Sequence, residues 1–422
     1  VASTANRLVF DNGVEFSATN PEAAPLLTIN LTPGLQYGAN PPPQSSLERG
    51  KITTANATRL AVGRNLTLAA KDLDLRGNLY AGNDLKIVAQ DTLQIRDSVE
   101  NSFIAQAQGD LLIQGNQTVD IFALNHPDSG LFSGGNMVLR SANTVGGDVH
   151  YWSGESFRIE RLDGGLGDLY SPTDPLILAN GDVSLGNYTG SSLHVLAGGS
   201  VTTGNILIND KDTVNKTISP NNTDPFLADL ANVNLSNGTT SVMIDGSARP
   251  TLDIRAGIDW NLLGGAPGNT DLGTLTANFN PNATSADITI GNIYINAPDG
   301  LVFLTNQYQP NQSLPSREIA VTEIRTDDKF SGFLGNSSSV IIDYRGGITV
   351  SDHIVTSSVS GDGGDVTLIT DKLISLDNSF IASRTLGTGQ GGNIHIQTGS
   401  LFLTNGGHLN VSTAGKGNAG NV

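Results

Sequence analysis

Apolar residues along this chain come in short bursts of period two. Leu60 and Val62 are followed by Leu66 and Leu68, Leu73 and Leu75, Leu85 and Ile87, then Leu93 and Ile95. Polar corners rich in Gly and Asn separate them: Gly63, Gly77-Asn78 and Gly82-Asn83. Alternation of this kind predicts short strands with one buried face. The rhythm continues through Leu111–Ile113, Val119–Ile121 and Met137–Leu139, and resumes from Val183 to Ile208. It is most regular at the far end. Gly364-Asp365-Val366 recurs as Gly392-Asn393-Ile394 and again as Gly420-Asn421-Val422, 28 residues apart each time. Laying one copy on the next pairs Leu373 with Leu401, Asp377 with Asn405, Ile381 with Leu409 and Thr385 with Thr413. Short strands at a fixed period are the signature of a β-solenoid. Each repeat reads as one coil of a parallel β-helix whose backbone groups pair with the coils above and below. A corner Asn can hydrogen-bond to its copy one coil away.

The first residues alternate too, at Leu8 and Phe10 and then at Leu27, Ile29 and Leu31, and read as strands already inside a coil. Thr32–Leu47 is a connection with Pro33-Gly34 and Pro41-Pro42-Pro43. The period breaks at four excursions: 209–237, 261–286, 305–316 and 328–338. In the first, Asp224 before Pro225 makes an N-cap with Pro at the first helical position, so one short helix is predicted at Asp224–Ala231. Between excursions, 251–258, 287–295, 301–304, 319–324 and 340–344 are strand bursts. Loops of this length are expected to project from one side without disturbing the stack. The chain thus divides into coils over 1–208, coils with long excursions over 209–338, and regular 28-residue repeats over 339–422, all one solenoid. Val1 is no natural start and the third copy is cut short, so the sequence reads as a piece of something longer.

Composition narrows the function classes. The chain has 422 residues, 50 Gly, no Cys and a net charge of −17. Without clustered Lys and Arg, nucleic acid is not an expected partner, nor is an anionic membrane surface. No run approaches 18 apolar residues, so no membrane span is predicted. Without disulfides, stability must come from the stacked core, which also suits a chain exported unfolded through a narrow pore.

Several stretches resemble a family. Gly391–Ile394 and Gly417–Val422 are similar to the repeats of cyanobacterial exoproteins of the filamentous-haemagglutinin type. So are Asn6–Tyr37, His150–Pro175 and Ala248–Ile258. The resemblance implies an all-β, right-handed parallel β-helix, here with loop excursions and one short helix. It implies a passenger exported by two-partner secretion, with an outer-membrane transporter as partner during export. The family's secretion domain carries an Asn-Pro-Asn-Gly type of motif. Here Asn280-Pro281-Asn282 is followed by Ala283 and lies inside an excursion, so the fragment is read as passenger downstream of that domain.

The candidate chemistry is sparse. Asp163, Asp168 and Asp174 share one Gly-rich loop near Arg158 and Arg161, and β-helix enzymes that cut acidic polysaccharide use such carboxylates. Turn and cap chemistry at Asp163-Gly164 and Asp174-Pro175 is the favoured reading, because no other cationic partner sits close. Gly361-Asp362-Gly363-Gly364-Asp365 resembles one copy of a Ca²⁺-binding repeat that works only in tandem. His126, His150, His194, His353, His395 and His408 have no ligand spacing and read as structural. Tyr151-Trp152 could offer one outward ring as a sugar-stacking platform. Asn-x-Ser/Thr triplets such as Asn65-Leu66-Thr67 arise from composition. No catalytic, cofactor-binding or metal residue is therefore assigned. The expectation is a non-enzymatic secreted protein of the cell surface or extracellular matrix. It would act as a stalk for adhesion, surface-layer or filament building, with a carbohydrate or cell-surface ligand and end-to-end or lattice self-association. The alternative is a β-helical enzyme acting on acidic polysaccharide.

Overall fold

A computed structural model describes residues 50–214, 217–263, 283–327 and 335–422, together with the backbone of four short strands before residue 50. The chain winds as a three-sided parallel β-helix. One face is a twelve-stranded sheet running from Arg59–Val62 to Ile394–Gln397, and each rung of the solenoid contributes one strand to it. The second face begins with Ala2–Ser3 followed by Leu66–Ala70, and the third with Lys51–Thr53 followed by Asp72–Leu75. Those two faces form one 24-stranded ladder, because Ile288–Ile295 and Glu318–Arg325 each turn the corner between them without a break. Twelve rungs stacked at the strand spacing make a body roughly 55 Å long. No helix among the described residues is long and apolar enough to cross a membrane.

Inward side chains from all three faces make one continuous core, from Leu66 to Ile394. Asp, Asn and Ser hold the corners. Asn65 Oδ1 accepts from the backbone N–H of Asp84, Asp84 from Asp110, Asp110 from Asn136, and Asn136 from Ser156. The ladder continues through Asp182, Ser200, Asp287 and Arg317. A second corner runs Asp168, Asn187, Asn205, Asn292. Each side chain thus supplies an acceptor to the next rung's corner, where the sheet ladder is interrupted. The step is not constant. It is 18 residues from Asn187 to Asn205, 26 from Asp84 to Asp110 and 28 from Asp365 to Asn393.

Four sequence readings need correction. First, Leu8 is not in a coil. Arg7–Val9 pairs antiparallel with both Glu15–Ser17 and Gly34–Gln36, and only Ala2–Ser3 joins the solenoid, parallel to Leu68-Ala69. Asn12-Gly13 between the first two strands is a hairpin dipeptide, and that local signal outweighs the alternation. Leu27, Ile29 and Leu31 lie outside the described residues. Second, the terminal repeats slip by one residue on the second face, where Ile374, not Leu373, pairs with Leu401, and Asp377 pairs with Thr404. The corner before Ser400–Thr404 is one residue shorter than its counterpart, and the corner after it one longer. The slip therefore cancels, and Ile381 meets Leu409 as the repeat demands. Inside-outside alternation sets register more firmly than sequence spacing does. Third, the excursion after Ile208 does not simply project. Fourth, it holds more than a helix. The predicted helix is present at Pro225–Asp229, with Asp224 accepting from the Phe226 N–H and Pro at the first position. An antiparallel hairpin, Asn232–Asn234 with Ser241–Met243, follows it. Its connection contains Asn237-Gly238, a turn signal visible in the sequence, and Gly238 takes a φ of 69° there. Most of 261–286 and of 328–338 lies outside the described residues.

Candidate functional site

The excursion lies against the outer side of the twelve-stranded face. Alternation sends Trp152, Leu176, Leu178, Leu196, Phe303 and Ile369 outward from that sheet, yet all are buried. Leu227, Leu230, Val233, Leu235, Val242 and Ile244 of the excursion cover them in a second apolar core. Trp260 closes one edge. Its ring meets Trp152 edge-on at 5.0 Å, and its Nε1 donates to the Ala179 carbonyl at 2.9 Å. Below the hairpin, the Ser236 N–H donates to Asp343 at 2.7 Å. Burial raises the Asp343 pKa, and the Ser236 hydrogen bonds oppose that rise.

Charged groups are sealed in the same interface. Strand register places His194 beside Asp253 and Leu196 beside Arg255 on the outward side. His194, Asp212, Asp253 and Arg255 are all fully buried. Arg255 makes a fork onto Asp253, with Nε to Oδ1 at 2.9 Å and Nη2 to Oδ2 at 2.8 Å, and Nη2 also reaches the Leu230 carbonyl of the excursion. Tyr308 lies over the guanidinium at 4.4 Å. His194 Nδ1 is 3.3 Å from Asp253, and its Nε2 is 2.9 Å from the Thr217 hydroxyl and 3.6 Å from Asp212. Burial alone would lower the His194 pKa, but the two aspartates outweigh it and push it up to about 9. Burial raises the Asp212 pKa, and the Asp174 charge adds to that, while His194 pulls against it. The Asp253 pKa is lowered even though burial works against this, because Arg255 and His194 stabilise its charge. Asp174 Oδ1, Asp212 Oδ2 and Arg255 Nη1 have no hydrogen-bond partner among the described residues. The cluster is a docking joint: water and substrate do not reach it.

Comparison with protein families, curated proteins and solved structures returns no match to this chain. Its residues must speak for themselves.

The three aspartates of the Gly-rich loop do not form a set. Asp163 is exposed and its carboxylate turns back to the Gly165 N–H. Asp168 is a rung of the corner ladder, accepting from the Asn187 N–H. Asp174 is wholly buried, 3.4 Å from His150. Tyr151-Trp152 is not a platform, since both rings are buried. Tyr151 faces the inner core and donates to the Gly147 carbonyl, while Trp152 faces outward beneath the excursion. Asp362 and Asp365 accept from the Gln390 and Asn393 N–H groups one rung on, which is corner chemistry. Among the described residues, no group of three or more His, Asp or Glu is placed to hold a metal ion. His353 and His408 sandwich Phe380 in a stacked column on the third face, at 3.9 and 5.1 Å.

Sequence reasoning passed over one accessible site. A groove of about 520 Å³ opens on the third face between Asp120 and Thr189, lined also by Thr118, Thr144, Asp168 and Asn187. Tyr170 stands in it with 48% of its surface exposed. Among the described residues, the only other exposed Phe, Tyr or Trp is Phe402 on the last rung. The signal was available: Leu169, Tyr170, Ser171 alternate, which sends Tyr170 outward.

Proposed function

We propose that this chain is a segment of an extracellular surface exoprotein, a non-enzymatic β-helical stalk that adheres to, or builds, a cell-surface or matrix layer. The observation that carries the reading is the build of the molecule. Twelve rungs stack without a break, and the excursion is fastened to the outside by its own core. Such a body is a stiff spacer with a shaped flank, stable without a single Cys. The filamentous-haemagglutinin-like repeats and export through an outer-membrane two-partner-secretion transporter belong to the same proposal. The enzyme alternative rested on Asp163, Asp168 and Asp174, and those residues occupy three different environments.

Two measurements test the proposal. Small-angle scattering should give an elongated particle whose solenoid is roughly 55 Å long. Surface-binding assays should show the chain adhering to, or assembling on, polysaccharide or matrix layers. Release of sugar ends from a polysaccharide, abolished by one Asp→Asn change, would overturn the non-enzymatic reading. An elongated particle that neither adheres nor assembles would overturn the stalk role.

A further inference from the structure

We propose that the groove around Tyr170 is a binding subsite for a neutral glycan, with one sugar ring resting on Tyr170 and in the notch beside it. Register defines the notch. Asp120, Gly146, Tyr170 and Thr189 are successive neighbours across four rungs of the third face. At the strand spacing, Asp120 and Tyr170 stand roughly 10 Å apart, and the residue between them has no side chain. That gap accepts one pyranose ring edge. Tyr170, half of its surface exposed, offers aromatic area to the ring's C–H groups.

The rest of the lining chooses the ligand. Thr118, Thr144, Thr189 and Asn187 present hydroxyl and amide groups, and Asp120 and Asp168 present carboxylates. A carboxylate accepts about four hydrogen bonds. Asp168 Oδ1 takes one, from the Asn187 N–H. Asp120 takes Arg96 and Gln94, which fix its orientation. Sugar hydroxyls are donors suited to the remaining positions. Arg96 balances the Asp120 charge, but the Asp168 carboxylate and the chain's net charge of −17 still repel uronate and sulfate groups, so the ligand is a neutral glycan, not an acidic one. A protein partner is a poor fit, because a stable interface needs about 1,000 Å² with an apolar centre, and this groove exposes one ring. The inference deepens the adhesive reading by naming a ligand class.

The test is titration of the full chain, by calorimetry and by protein-observed NMR, with neutral hexose and N-acetylhexosamine oligosaccharides. Uronate and sulfated oligosaccharides form the second arm. Neutral oligosaccharides should bind, and Tyr170→Ala should weaken them about tenfold. Gly146→Leu is the second variant, since a Cβ there meets only ordinary contacts, 3.4 Å to the Val119 carbonyl oxygen and 3.7 Å to the Asp120 Cα. It fills the notch without moving backbone, so it should weaken binding at least as much with an unchanged melting curve. Failure of every neutral glycan to bind overturns the proposal, as does equal binding of uronates or binding that survives both substitutions. A chain that adheres to matrix surfaces yet binds no neutral glycan overturns this site alone and leaves the adhesive reading in place.

Discussion

The rungs from His150 to Thr305 and the last rung, from Ile394 onward, share one backbone design but differ on the outside of the twelve-stranded face. Between them Asp343 and Ile369 still face the excursion and are buried. In the last rung the outer side is open, and Ile394–Gln397 alternates between core and solvent. In the middle rungs both sides are buried: Leu176–Ala179, Leu193–Ala197, Thr251–Arg255 and Leu301–Thr305 have no exposed residue. A sheet covered on both faces loses its alternation and becomes a run of apolar residues. This is why the middle of the chain reads as irregular. The solenoid itself is unbroken there; a second constraint, the excursion's core, is written over the first.

The comparison breaks most easily at the buried charges. Asp253→Ala should cost about 3–5 kcal/mol, because it leaves the Arg255 and His194 charges buried without their partner. Asp377→Ala in the terminal rungs removes hydrogen bonds from Thr404 and Asn405, but at an exposed corner, and should barely move the urea midpoint. Similar costs for the two changes would mean that the excursion is not held as described. Trp152→Ala should cost about 3 kcal/mol through the lost edge contact with Trp260 and the hole under the excursion. These are the chain's two tryptophans. Tryptophan fluorescence, excited where tyrosine does not absorb, therefore reports docking of the excursion, while far-ultraviolet dichroism reports the whole solenoid. In urea the tryptophan signal should be lost first, and coincident loss of both signals would argue against a separable joint.

Acidity should sharpen the same contrast. His194 holds its proton more tightly in the folded chain, with a pKa of about 9 against an ordinary value near 6.5. Its stabilising contribution is complete below about pH 6.5 and is lost as pH rises through about 9. Asp212 is shifted the same way, by burial first and by Asp174 next, so its share also falls as pH climbs. Asp253 is shifted downward, and its contribution is lost only in strong acid. Docking should therefore weaken between about pH 6.5 and 9, as an increasing rate of proteolysis within 209–250, while the terminal rungs stay intact. His194→Gln should flatten that dependence. A proteolysis rate that stays constant across the interval would rule out His194 as its origin.

How much of this was legible depended on how many environments a residue had to satisfy. Val366, Leu368, Ile394 and Ile396 serve one core, and their alternation gave the β-helix directly. Asp224-Pro225 is local chemistry, and the helix stands where the dipeptide placed it. Asn393 and Asp365 were read correctly as corner residues. The Tyr151-Trp152 pair was read as offering one outward ring to solvent because nothing local says that residues from Leu227 to Phe303, far along the chain, will cover Trp152. Arg255 and Asp253 were invisible for the same reason: their partners Leu230, His194 and Tyr308 are joined to them only through the stack. Asp168 had to be weighed as a catalytic candidate in sequence because a corner ladder and an active-site carboxylate use the same residue, and the Asn187 N–H beside it places it in the ladder.

The smallest predicted effect concerns what the two regions share. Asn187 in the middle and Asn393 near the end do the same work at different corners: each side-chain oxygen accepts from the next rung's Asn N–H, Asn205 at 2.8 Å and Asn421 at 3.0 Å. Both side chains are exposed. Water can take over the orphaned N–H, so Asn187→Ala and Asn393→Ala should each cost only about 0.5–1 kcal/mol. The two costs should agree within about 0.5 kcal/mol, because the ladder lies at the corners and the excursion covers a face. Urea titration followed in the far ultraviolet would measure both. A penalty at Asn187 several times that at Asn393 would mean that the excursion's influence reaches round the corner, and the middle rungs would then differ from the terminal ones in backbone as well as in covering.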